Sequence, residues 1–76
     1  MYYPYKLESQ EDLYRLSEMA CQEDFNIYIS TNSEVLDTKS LLALFSALGK
    51  EVRLVAPDHV DSSKFNKFIE KLTSTK

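Results

Sequence analysis

The chain has 76 residues, enough for one domain, and one this short buries only roughly 60% of its unfolded surface, so its core must be efficient. Apolar residues make up 43%, with five tyrosines, four phenylalanines and one glycine, which excludes a disordered or fibrous chain. The net charge of −3 argues against a nucleic-acid binder, which would carry a basic stripe.

Cys21 is the single cysteine, so no internal disulfide can form, and a lone thiol suits a reducing compartment. No signal-peptide pattern and no apolar run approaching ~20 residues is present, so membrane insertion is not expected and a cytoplasmic location is. Charge is uneven. Residues 1–37 carry two bases against eight acids, a balance of −6, and residues 38–76 carry seven bases against four acids, a balance of +3. Such asymmetry either orients a partner or reflects ordinary solvated faces.

Tyr3, Tyr5 and Leu7 alternate with charged residues, the period of a strand. Pro4 donates nothing to a ladder, which places this strand at an edge or makes Pro4 a strand start. Ser9 is a good N-cap, with Glu11 and Asp12 in the first turn where the helix dipole favours anions. Leu13, Leu16 and Ala20 continue at helical spacing, predicting a helix over residues 10–22. Phe25, Ile27 and Ile29 alternate with polar neighbours and predict a half-buried strand to Ser30. Thr31-Asn32-Ser33 makes a hairpin turn into a short strand over residues 34–36.

A second helix opens within residues 37–40. Its Leu41, Leu42, Leu44, Phe45 and Leu48 are too many apolar residues for one face, so some are expected to be exposed. Gly49 is placed as the residue just beyond its C-terminus. Residues 51–56 form a strand with Val52 and Leu54 inward, ended by Pro57-Asp58. Asp61 or Ser62 caps a last helix whose Phe65, Phe68, Ile69 and Leu72 face the core, with Lys64, Lys67, Glu70 and Lys71 outside. The first residues and residues 73–76 are expected to be loose. The order β-α-β-β-α-β-α predicts an α+β fold with an antiparallel sheet and helices on one face.

That order, with the stretch from Phe25 to Ala56, resembles HPr, the histidine-containing phosphocarrier of the bacterial sugar phosphotransferase system. The nearest likeness is Glu34-Val35-Leu36-Asp37-Thr38-Lys39-Ser40-Leu41-Leu42-Ala43-Leu44, which is similar to the HPr segment where a strand runs into Lys-Ser and a short helix. The resemblance implies a single domain over residues 1–76, an open-faced sandwich with a four-stranded antiparallel sheet and three helices on one face. HPr opens its first helix with Gly-Leu-His-Ala-Arg-Pro, the histidine taking phosphate at the helix N-terminus. The resemblance brings Ser9 to the histidine position, Glu11 to the arginine and Asp12 to the proline. Serine is not a phosphohistidine carrier. Two like unit charges 4 Å apart repel by roughly 4 kcal/mol at an effective dielectric of 20, so Glu11 and Asp12 oppose an arriving phosphoryl group. The resemblance further implies a regulatory phosphorylation position at Ser40, beside Lys39, and a partner-binding patch at Leu41, Leu42 and Phe45. It also implies a longer turn than Gly49-Lys50 before the last strand.

Each of these residues has a plainer reading. Ser40 is also a good helix cap, and Leu41, Leu42 and Phe45 could pack under the termini or join two copies. His59, the only histidine, falls in a loop where a solvated role is ordinary. No convergent set of ligands accompanies it, so neither metal nor cofactor is expected. Cys21 reads as a half-buried packing thiol, with no histidine at a helpful spacing. Tyr2, Tyr3, Tyr5, Tyr14 and Tyr28 read as sheet and core packing, since the bases of a nucleic-acid platform are missing around them. No nucleophile, base and orienting group come together in the sequence, so an enzyme is not expected. Three roles stay open: a non-catalytic HPr-like module for an unidentified protein partner, a phosphoserine switch at Ser40, and a structural homo-oligomer. A monomer or weak homodimer is compatible with the first two.

Overall fold

The computed structural model describes residues 1–74. Their elements run β1 (Tyr2–Lys6), α1 (Gln10–Cys21), β2 (Tyr28–Ser30), β3 (Val35–Asp37), α2 (Leu41–Phe45), β4 (Glu51–Val55) and α3 (Ser62–Ser74). The four strands form one antiparallel sheet in the order β1-β4-β2-β3. This is the α+β arrangement expected from the pattern, with the last strand inserted between the first two. Pro4 lies on edge strand β1, opposite Arg53, where its missing N–H costs no ladder bond on the open side.

Register decides which side is covered. Tyr3 lies opposite Leu54, and Leu54 opposite Ile29, so one face carries a continuous apolar row across three strands. Leu54 and Ile29 are fully buried, as are Leu13, Leu16 and Ala20 of α1, Leu44 of α2 and Leu72 of α3. The helices therefore cover this face, and the residues between, such as Arg53, are left to solvent. Arg15 fastens α1 to the end of α3: its Nη2 donates to the Leu72 carbonyl at 2.8 Å and to the Tyr5 hydroxyl at 3.5 Å. A cation among the last carbonyls of a helix is favourable for its dipole.

Several boundaries differ from expectation. β2 begins at Tyr28, although Phe25 and Ile27 are buried on the predicted alternation. Tyr28 is the last residue opposed by both Val55 and Asp37, so the ladder has run out on both sides. The Ile27 carbonyl is taken instead by Thr38, whose hydroxyl donates at 2.7 Å and N–H at 3.3 Å. β3 starts one residue late because Glu34 closes the hairpin, its carbonyl accepting the Thr31 N–H at 2.9 Å. α2 is only five residues long, and a series of three-residue turns carries residues 46–50 onward. Gly49 thus ends these turns, not the helix, at φ 81°, a conformation that favours glycine. The expected loose ends are partly ordered: Met1 accepts the Ala56 N–H at 3.1 Å, and Thr73 and Ser74 belong to α3. Residues 75 and 76 of that expected tail lie outside the described residues.

Of the two candidate caps for α3, Asp61 serves. Its Oδ1 accepts the Ser63 N–H at 2.9 Å and the Ser63 hydroxyl at 3.0 Å. The backbone bond from Ser63, then its hydroxyl, hold the Asp61 carboxyl below its ordinary value. A depressed carboxyl contributes its stability above the unfolded-state value and loses it as pH falls through the lowered folded value. Acid titration should therefore fray the start of α3, read as loss of Ser63 amide protection. Asp61→Asn, which keeps an acceptor without a charge, should flatten that dependence. For the buried Thr38, Thr38→Val should cost about 1 kcal/mol, since the Ile27 carbonyl keeps the backbone donor. Leu54→Ala should cost about 2–5 kcal/mol, both measured by urea denaturation.

Candidate functional site

The start of α1 is built from two reciprocal hydrogen bonds. The Asp12 N–H donates to Ser9 Oγ at 3.3 Å, and the Asp12 carboxylate accepts the Glu8 N–H at 3.1 Å. Ser9 has the extended backbone of an N-cap, with φ −142° and ψ 166°. The arrangement is close to a capping box, with the returning bond falling one residue earlier than usual. Both side chains at the helix mouth are thus engaged with backbone donors that an incoming anion would otherwise use. Glu11, the next carboxylate, is exposed.

The turns that follow α2 end beside this mouth. The Gly49 N–H donates to the Leu7 carbonyl at 2.6 Å, two residues before Ser9. Further along, the rings of Tyr14 and Phe45 meet edge to face, centroids 6.3 Å apart and planes 83° apart, a favoured aromatic geometry. Tyr14 of α1 thus meets Phe45 of α2, and Leu41 and Leu42 lie on the same short helix as Phe45. As the excess of apolar residues implied, those three are exposed: Leu41 and Phe45 each by 39% and Leu42 by 86%. Tyr14 joins them at 48%, correcting its assignment to the core. It follows Leu13, so a helix turns it about 100° away from the buried stripe. That phase was the signal that could have singled it out. Glu11 and Glu18, three residues before and four after Tyr14, lie along the same side of α1 and are exposed. The surface is an apolar centre beside an acidic edge.

Ser40 sits at the opposite end of α2 as its N-cap, exposed, with Oγ accepting the Ala43 N–H at 3.4 Å. Lys39 is exposed beside it, but the Asp37 carboxylate also occupies this turn, accepting the Lys39 N–H at 2.9 Å. His59 is exposed and lines a cleft of about 490 Å³ with Asp24, Asn26, Asp61 and Lys64, away from the mouth of α1. Among the described residues, no three metal-ligating side chains gather within reach of one cation. Cys21 is exposed, not half-buried: it lies beyond Ala20 on the turn that faces solvent. Tyr2 is also exposed, at 62%, while Tyr3, Tyr5 and Tyr28 are partly covered as sheet packing. No helix among the described residues is long and apolar enough to cross a membrane.

Neither a protein-family model nor a curated protein matches the sequence. Among solved structures, HPr-C-His from Thermoanaerobacter tengcongensis is similar, with a TM-score of 0.72 over 97% of this chain and 92% of that one. The chain has the HPr fold. Identity is 12%, so the likeness speaks for the fold alone. In this chain the start of α1 carries the serine–aspartate cap.

Ser9→Ala should cost about 1 kcal/mol, within the 0.5–2 kcal/mol usual for caps. Loss of amide protection should be confined to the first turn of α1, checked by hydrogen exchange.

Proposed function

We propose that this domain is a non-catalytic HPr-like module that docks a protein partner through the joined surface of α1 and α2. The observation that carries the reading is the exposed cluster of Tyr14, Leu41, Leu42 and Phe45 beside Glu11 and Glu18. Exposed apolar clusters with a polar border are the usual make-up of contact surfaces. A carboxylate edge repels acidic partners and attracts basic ones, so it selects the partner's charge more than it adds affinity. Ordinary HPr docks against acidic surfaces, so the partner of this domain is of a different, basic kind.

The same edge disfavours phosphocarrier chemistry. Phosphoryl transfer to a helix mouth needs an acceptor nitrogen and free backbone donors. Ser9 offers no ring nitrogen, its Oγ is committed to the Asp12 N–H, and Asp12 accepts the Glu8 N–H. Glu11 adds negative charge where a phosphoryl group would arrive. Incubation with phosphoenolpyruvate and the general phosphotransferase enzyme should leave the chain unlabelled. Stable label on a residue of the α1 mouth would end this reading.

A second reading, favoured by the exposed Ser40 hydroxyl with Lys39 beside it, is a phosphoserine switch at the start of α2. Asp37 in the same turn weighs against it. Treatment with HPr kinase followed by mass spectrometry decides: a phosphate mapped to Ser40 supports the switch, and no mass shift removes it.

A further inference from the structure

The uncovered face of the sheet has its own chemistry. Arg53 stands near its middle, on β4, with Pro4 and Ser30 as its cross-strand neighbours. Neither neighbour is charged. Among the described residues no carboxylate pairs with its guanidinium, which lies over the Tyr2 ring 5.4 Å from the centroid. Stacking of this kind holds the cation in place through its face and leaves the edge N–H donors available.

Arg53 also lines a cleft of about 370 Å³ with Pro4, Ser30, Thr31, Asn32 and Glu51. That volume lies at the small end of the roughly 300–1,000 Å³ of small-molecule sites. Thr31 Oγ1 is tied into the hairpin, donating to the Glu34 carbonyl and accepting from the N–H groups of Ser33 and Glu34. The Ser30 hydroxyl and the Asn32 amide make no such bond among the described residues, and both can donate. Glu51 is the one carboxylate lining the cleft. Lys6 lies opposite it across the strands, and Lys50, next in sequence, lines an adjoining cleft with Thr31 and Asn32.

We propose that this cleft is a subsite for a small oxyanion, a carboxylate or phosphate group, held by the guanidinium fork of Arg53 with Ser30 and Asn32 donating beside it. Arginine matches both groups because each presents two oxygens at the spacing of its parallel N–H bonds. The size of the cleft fits a metabolite, not a macromolecule. The site is on the sheet face opposite the helices, so it stands or falls independently of the docking surface on α1 and α2.

Amide NMR titrations with inorganic phosphate and, separately, with succinate test this, with ionic strength held by chloride. Saturable shifts at Ser30, Thr31, Asn32 and Arg53 are expected with at least one probe, and the tighter probe identifies which group the site takes. Arg53→Gln should weaken binding about tenfold or more, and Arg53→Lys should recover only part of the loss, because a point charge lacks the fork. Arg53 is exposed, so both variants should fold; Ser30→Ala, which leaves every charge in place, should weaken binding as well. Shifts that fail to saturate with either probe, that persist unchanged in Arg53→Gln, or that map to α1 and α2 would overturn the proposal.

Discussion

One-sided burial is the constraint on which everything else in this protein depends. The described residues supply three helices for a four-stranded sheet, enough to cover one face and not two. The cross-strand row Tyr3, Leu54 and Ile29 fixes which face that is. A slip of one residue in β4 would turn Leu54 outward and Arg53 into the core, where an unpaired charge is prohibitively costly. The two outer surfaces, helix layer and bare sheet, follow from that single choice.

On the helix layer, backbone bonds join elements distant in sequence. The Gly49 N–H reaches the Leu7 carbonyl, and this brings the turns that follow α2 beside the mouth of α1. The Tyr14–Phe45 contact extends the junction along the helices. The mouth of a helix is electrostatically suited to an anion. Here the protein fills that role from within, with Ser9 Oγ and the Asp12 carboxylate on the backbone donors. Local stability and anion reception compete for the same N–H groups. The chain has the HPr fold, and the start of its first helix is capped by its own side chains, with the exposed Glu11 beside them.

Much of this was legible in the sequence where local chemistry decides. Ser9 and Asp61 cap because a short side-chain oxygen before a helix has little else to bond. Pro4 sits on an edge strand because it has no donor. The apolar excess of α2 showed that some of its residues would be exposed, and the HPr resemblance pointed to Leu41, Leu42 and Phe45. What was not legible depends on partners across the fold. Phe25 and Ile27 alternate like a strand and are buried like one, but no strand reaches them, and Thr38 takes the Ile27 carbonyl. Residue type alone places Tyr14 in the core, although its helical phase points outward. In the sequence, Arg53 is only an outward residue on a strand. Its meaning comes only from Tyr2, Pro4 and Ser30, which the sheet order brings beside it.

The proposed choice of a basic partner at the α1–α2 surface rests on its acidic edge. Its most direct test is an amide NMR titration of this protein with the general phosphotransferase enzyme, without a phosphoryl donor. Docking is thereby separated from chemistry. The account predicts no shift at Tyr14, Leu42 or Phe45 at concentrations that saturate an ordinary HPr. Saturable shifts at those residues would contradict it.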